Sequence, residues 1–177
     1  MTDSVTVRRL GPSDTVASVP GLADVLIDCV EGGASVSFMQ PMTAEKATRY
    51  WRTVAEGVSR GERALLVAED CEGHILGTVQ LVLALPENQP HRADVAKMLV
   101  HRRARCRGIG QRLMQAVETT AREAGKTLLV LDTVTGGDAE RLYARAGWQR
   151  VGEIPNYALM PDGPFCATTI FYKALGR

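Results

Sequence analysis

Two periods of apolar residues run along this chain, and between them they predict a mixed α/β architecture. Residues 4–9 can start a sheet, and residues 20–30 read as a helix after a turn around Gly11 and Pro12. Residues 31–41 are small and polar, with Gly32, Gly33, Ser35 and Ser37, and read as a loop. Thr43 can then cap a helix in which Ala47, Tyr50, Trp51, Val54 and Val58 recur at helical spacing before Gly61 ends it. Residues 63–68 and 75–85 are strand-like and joined by Glu69-Asp70-Cys71-Glu72-Gly73, an antiparallel hairpin signal. After a break at residues 86–90, alternation predicts a strand with Asp94, Ala96, Met98 and Val100 on one face and Val95, Lys97 and Leu99 on the other. An amphipathic helix follows over residues 109–124, stopped near Gly125. Residues 128–131 are then continuously apolar, as expected of a buried parallel strand. Asp138 is expected to cap a short helix ending at Gly147, and residues 148–154 and 168–175 supply two further strands around a Pro/Gly-bearing loop. The expected fold is a mostly antiparallel twisted sheet of about seven strands with about four helices, built around one right-handed parallel β-α-β unit.

Composition adds limits. A chain of 177 residues with 45% hydrophobic and 23% charged residues suits one globular domain, residues 1–177, with an apolar core. The net charge of +1 gives no general reason to expect nucleic acid or a membrane surface as partner. Residues 1–14 carry no apolar signal region and no apolar run approaches the ~20 residues that span a bilayer, so a cytoplasmic protein is expected. Cys29, Cys71, Cys106 and Cys166 are widely spaced, as are His74, His91 and His101, and neither a metal site nor a disulfide framework is expected. An apolar strand edge would suit a homodimer.

Local charge changes the picture. Arg102, Arg103, Arg105 and Arg107 fall within six residues, and residues 105–110 read R-C-R-G-I-G directly before the amphipathic helix. A solvated basic loop is one reading. The glycines and the following helix favour another, a loop whose backbone N–H groups and helix dipole bind phosphate, with Gly108 free to take positive φ. The loop lacks the Lys-Ser/Thr of a P-loop and the spacing of a dinucleotide fingerprint. Three polar residues stand where a scaffold alone would not demand them: Asp94, Asp132 and Tyr143. Carboxylates can take a proton from an ammonium and a phenol can return one to a leaving group. Each also has a structural alternative: Asp94 paired with Arg92, Asp132 capping the next turn, Tyr143 as a core aromatic.

The R-x-x-G-x-G loop after a strand resembles the acyl-CoA pyrophosphate loop of the GNAT acetyltransferase superfamily. The wider pattern is similar to its tabtoxin resistance protein group: G-G-A-S-V-S-F-M at 32–39, R-A-D-V-A-K-M-L-V at 92–100, L-D-T at 131–133, L-Y at 142–143, R-V-G-E at 150–153, P-D-G at 161–163 and K-A-L-G at 173–176. The resemblance implies the GNAT fold, acetyl-CoA as cosubstrate, no metal, and N-acetylation of a small amine such as tabtoxinine-β-lactam. It places the catalytic acids on Asp94 and Asp132 and the proton donor on Tyr143. It places acetyl-CoA contacts on Met98, Leu99, Val100, Arg105, Cys106, Arg107, Gly108, Ile109 and Gly110. The group carries Glu where this chain has Asp94, one methylene shorter, which favours a water-mediated role. Acceptor contacts are expected from the flanks at residues 31–39 and 156–165 and from Trp51, with Glu31, Ser35, Phe38, Trp51 and Tyr157 as candidates. The alternatives are a protein or aminoglycoside acceptor, or an acyl-CoA-binding sensor without turnover.

Overall fold

A computed structural model describes residues 5–176. Its elements are β1 (Thr6–Leu10), α1 (Pro12–Ala17), α2 (Val19–Glu31), α3 (Ala44–Ser59), β2 (Arg63–Glu69), β3 (Ile75–Val82), β4 (Arg92–Val100), α4 (Ile109–Glu123), β5 (Leu128–Val134), α5 (Asp138–Arg145), β6 (Gln149–Leu159) and β7 (Phe165–Ala174). A 3₁₀ turn, Arg102–Ala104, links β4 to α4. Ser4, expected to open the first strand, lies outside the described residues.

Seven strands form one sheet in the order β1-β2-β3-β4-β5-β7-β6. Of these pairings β4–β5 is parallel and the others antiparallel, as the sequence predicts for a β-α-β unit inside an otherwise antiparallel sheet. Five α-helices are described, not four, because Gly11-Pro12 starts a helix where a turn was expected. Proline suits the first helical turn, where its missing N–H has no intrahelical partner.

The core lies on both faces of the sheet. Along β2, Ala64, Leu66 and Ala68 face α4, while Leu65 and Val67 face α2 and α3. Such two-sided burial explains why β2 reads as an unbroken apolar run. The β2–β3 turn is held by Asp70 Oδ1, which accepts from the backbone N–H of Glu72 and of His74 at 3.0 and 2.9 Å. Thr43 caps α3 by accepting from the Lys46 N–H at 3.2 Å. Trp148 Nε1 and Lys173 Nζ both donate to buried Glu118 Oε1, at 3.2 and 2.8 Å, which ties α4 to the C-terminal strands.

Three local expectations need correction. The alternation in β4 breaks: Thr78 to Gln80 on β3 oppose Leu99 to Ala96, so β4 carries one extra residue, and Lys97 takes φ 51°. An inserted residue moves everything beyond it to the opposite face. Ala93 and Val95 therefore share the α4 side with Met98 and Val100, while Leu99 joins the α2–α3 core. The flank at residues 156–165 is largely strand, since β6 runs on to Leu159 through an irregularity at Asn156, φ 52°, and turns back at Gly163. Finally, Gly137, not Asp138, is the N-cap of α5; Asp138 is the first helical residue and pairs with Arg141.

Candidate active site

The parallel pairing of β4 and β5 is short. It runs from Arg92↔Leu128 to Asp94↔Val130 and stops there. Beyond it β4 bulges at Lys97, while β5 stays paired to β7 through Val134. The two strands part, and a cleft of about 1140 Å³ opens at the gap. Its walls come from the loop at residues 32–39, the far half of β4, the start of α4, the end of β5, α5, and the β6–β7 hairpin.

On the α4 side the chain forms a phosphate-sized cradle. Cys106 and Gly108 both have positive φ, 60° and 74°, and Gly108 is the N-cap of α4. The first intrahelical bond is Arg112 N–H to Gly108 O at 3.1 Å, so the N–H groups of Ile109, Gly110 and Gln111 stand free of the helix ladder. A Cβ on Gly110 would lie 3.0 Å from Leu142 Cδ2, so this glycine lets α4 and α5 close together. The basic run is not uniform. Arg102 is committed to Asp28, through its backbone N–H at 2.7 Å and Nε at 2.9 Å. Burial pushes the Asp28 carboxyl upward, but the Arg102 bonds and the neighbouring His101 outweigh it and hold it below the usual range. Arg105 donates to Val100 O at 3.3 Å and lines the cleft. These features fit acyl-CoA: free N–H groups at a helix start, left-handed backbone that brings the main chain close, and a long partly apolar channel.

Asp132 lies on the opposite face of β5 from Leu129 and Leu131, which belong to the α4-side core. It is exposed to the cleft, and its Oδ2 lies 3.1 Å from Thr168 Oγ1, whose one proton is shared with Thr133 O at 2.9 Å. Its partner is thus a side chain of β7, not the following turn. Tyr143 stands across the gap with its ring buried against Trp148 and Phe171, centroids 6.1 and 6.0 Å away. Burial, reinforced by the Asp132 charge, holds its hydroxyl well above the ordinary tyrosine range, so it stays protonated at neutral pH.

Asp94 sits two residues behind Asp132 on the same sheet face, roughly 7 Å back along the strands. It does not line the cleft. Arg92 Nη1 lies 3.1 Å from its Oδ1, so the surface ion pair expected as the alternative is present. Burial raises its carboxyl, Arg92 opposes this, and the Asp132 charge adds to the rise.

Of the other expected residues, Met98, Leu99, Val100, Arg105, Cys106, Gly108, Ile109, Gly110, Ser35, Phe38 and Tyr157 line the cleft. Arg107, Glu31 and Trp51 do not. Glu31 Oε1 accepts from the Met42 N–H at 3.1 Å, and Trp51 is fully buried in the α2–α3 core, the structural reading of its helical spacing. Lys97 and Thr168 line the cleft and were not expected there. The bulge that turns Lys97 has no signature in the alternation of β4; Thr168 opens the last strand expected from the sequence, and no local pattern ties that position to the cleft.

No helix among the described residues is long and apolar enough to cross a membrane, and no group of His, Cys, Asp and Glu among them could hold a metal ion.

Comparison with known proteins agrees with this geometry. The chain matches the acetyltransferase (GNAT) family over residues 34–148. It is 37% identical over 134 residues, 75% of this chain and 76% of the relative, to an uncharacterized N-acetyltransferase of the hisH–hisA intergenic region of Azospirillum brasilense. An N-acetyltransferase structure from Staphylococcus aureus Mu50 superposes with a TM-score of 0.79 at 17% identity, over 98% of this chain and 99% of that one. The structure of yncA from Salmonella typhimurium with its cofactor acetyl-CoA gives 0.78 at 15%, over 98% and 95%. At those identities the agreement concerns the fold. Family match and relative together make this chain a member of the GNAT family, an acetyl-CoA-dependent N-acetyltransferase.

Proposed function

We propose that this enzyme acetylates the primary amine of a small amino-acid-like molecule, with tabtoxinine-β-lactam as the acceptor suggested by sequence resemblance, in a cytoplasmic detoxification role. The observation that carries the reading is the meeting of Asp132 and Tyr143 in one cleft where β4 and β5 part.

Bound acetyl-CoA supplies an activated acyl carbon and a thiol leaving group. The chain's own groups divide the remaining work. The α4 N-terminus, Gly108 and Arg105 hold phosphate, and the main chain of Met98, Leu99 and Val100 past the bulge lines the channel and offers N–H groups for a developing oxyanion. Asp132 attracts the acceptor's ammonium and takes its proton, directly or through water. Thr168 lies beside that carboxylate, its one hydroxyl proton shared between Asp132 Oδ2 and Thr133 O. Asp94 is set back and paired to Arg92, which suits a water-linked reserve rather than direct contact. Tyr143, kept protonated by burial, returns a proton from its hydroxyl to the leaving sulfur. Exposed Val151, Ile154 and Leu159 on the outer strand β6 support association of two copies.

The test is acetyl-CoA-dependent thiol release with a panel of tabtoxinine-β-lactam, free amino acids, aminoglycosides and basic peptides. Acceptor-stimulated release with the amino-acid group is expected. Release only with aminoglycosides or peptides would replace the acceptor class, and binding of acetyl-CoA without release from any amine would favour a sensor.

A further inference from the structure

Lys97 is held in an unusual way. Strict alternation would place it beside Val95 against the α4-side core; the bulge turns it out, at the cost of a left-handed backbone with φ 51°. Its Nζ donates to Ser37 Oγ at 2.9 Å, and Ser37 is itself left-handed, φ 77°. Two strained non-glycine residues on separate segments thus meet through one hydrogen bond at the cleft wall. Backbone strain of this kind persists only where the surroundings over-determine it, and it concentrates at functional sites.

The Lys97 side chain is partly buried, and it forms no ion pair within 4 Å among the described residues. One of the three ammonium donors is used by Ser37, leaving two. Burial lowers its affinity for a proton, the more distant Asp132 charge works against this, and Arg63 adds to the lowering. A partly desolvated ammonium at the cleft wall, without a contacting counter-ion, gains from an anionic ligand that completes it. The other basic groups of the cleft come from other elements: Arg105 bonds to Val100 O beside the start of α4, and Arg141 and Arg145 lie on α5, the first paired with Asp138. Lys97 is therefore the cleft-lining cation tied to the segment of residues 35–39, and it lines the same cleft as the carboxylate of Asp132.

We propose that Lys97 binds the carboxylate of the acceptor, so that the enzyme selects amines that also carry a free carboxylate. Asp132 and Lys97 are opposite charges in one cleft that do not contact each other, and a zwitterionic acceptor completes both. A purely cationic amine satisfies Asp132 and is repelled by Lys97. The inference rests on the small-acceptor reading above and adds to it the residue that sets the class.

The experiment compares tabtoxinine-β-lactam and free L-amino acids, each against its carboxamide, in the native enzyme and in Lys97→Met and Lys97→Arg, by thiol release. The native enzyme should prefer the acid. Lys97→Met should raise KM for the acid about 10- to 100-fold, the range for a hydrogen bond to a charged group, with kcat, the amide's KM and the acetyl-CoA KM nearly unchanged. Lys97→Arg should keep most of the preference. Equal losses for acid and amide in Lys97→Met, or no native preference, would overturn the role of Lys97 while leaving the small-amine reading intact. Turnover of aminoglycosides or peptides but of no amino acid would overturn both. If no amine turns over, calorimetric titration of the same acid–amide pairs onto the acetyl-CoA-loaded native and Lys97→Met proteins decides by affinity: binding of the acid that depends on Lys97 supports the assignment, and its absence refutes it.

Discussion

Replacing Tyr143 by Phe separates catalysis from folding more cleanly than any other change in the cleft. The ring stays: its packing on Trp148 and Phe171, aromatic pairs worth about 0.5–1.5 kcal/mol each, survives the substitution. Only the hydroxyl goes, and among the described residues it makes no hydrogen bond to protein. No buried partner is left orphaned, so stability should change by no more than about 0.5 kcal/mol. Truncation to Ala, by contrast, would empty a core position and cost about 3–5 kcal/mol. If the hydroxyl delivers the proton to the leaving sulfur, kcat should fall about 10²- to 10⁴-fold, the usual contribution of general acid catalysis. The assay pairs thiol release at saturating acceptor with urea denaturation and calorimetric titration of acetyl-CoA. Lost turnover with unchanged midpoint and unchanged acetyl-CoA affinity is the expected pattern. Unchanged kcat would refute the role of Tyr143, and a large loss of acetyl-CoA affinity would recast the hydroxyl as a binding contact.

Three further changes follow from particular contacts. Gly108→Ala places a Cβ in open space, with nothing within 4 Å, so its penalty comes from φ 74° alone; about 1–2 kcal/mol of stability should be lost, read by urea denaturation, and KM for acetyl-CoA should rise because the new methyl crowds the cradle. Lys173→Met leaves the nearly buried Glu118 carboxylate without its cation and should destabilise by about 3 kcal/mol, while the double variant Lys173→Met with Glu118→Gln should recover part of that loss in the same denaturation assay. Lys97 binds its proton less tightly folded than unfolded, so the unfolded chain holds more protons between the depressed value and the ordinary ~10.4; its contribution is unfavourable below that window and vanishes above it. The stability of the native enzyme relative to Lys97→Met should therefore rise as pH is raised toward the ordinary ~10.4 in paired denaturation curves, and a flat difference would contradict the lowered proton affinity of this ammonium.

Periodicity was enough to find every strand and all but one helix, because those signals are local. The apolar run of β5, the cap at Thr43 and the Asp70 turn each act through residues a few positions apart. The missed helix α1 is one and a half turns long, too short to show a period, and its proline reads equally well as a turn. The glycine-rich loop was legible for a similar reason: positive φ and an open helix end are properties of residues 105–110 themselves.

What no local pattern carries is the parting of β4 from β5. It depends on one extra residue in β4 measured against β3, and a register is a relation between strands. That slip reversed the faces of Met98 and Leu99 and turned Lys97 into the cleft, while the β4–β5 register set Asp94 back from Asp132. Asp94 keeps the local Arg92 pairing that the sequence offered as its alternative, whereas tertiary structure sets Asp132 beside a threonine from a distant strand. Trp51, named among the acceptor contacts, instead lies in the core that its helical spacing also allowed. The sequence alone determined the elements, the phosphate cradle and the resemblance to acetyltransferases, because each rests on neighbours in the chain. Only the fold decided which charges share the cleft, because side chains remote in sequence meet through strand order and register, and a one-residue bulge changes both what a strand buries and what it presents.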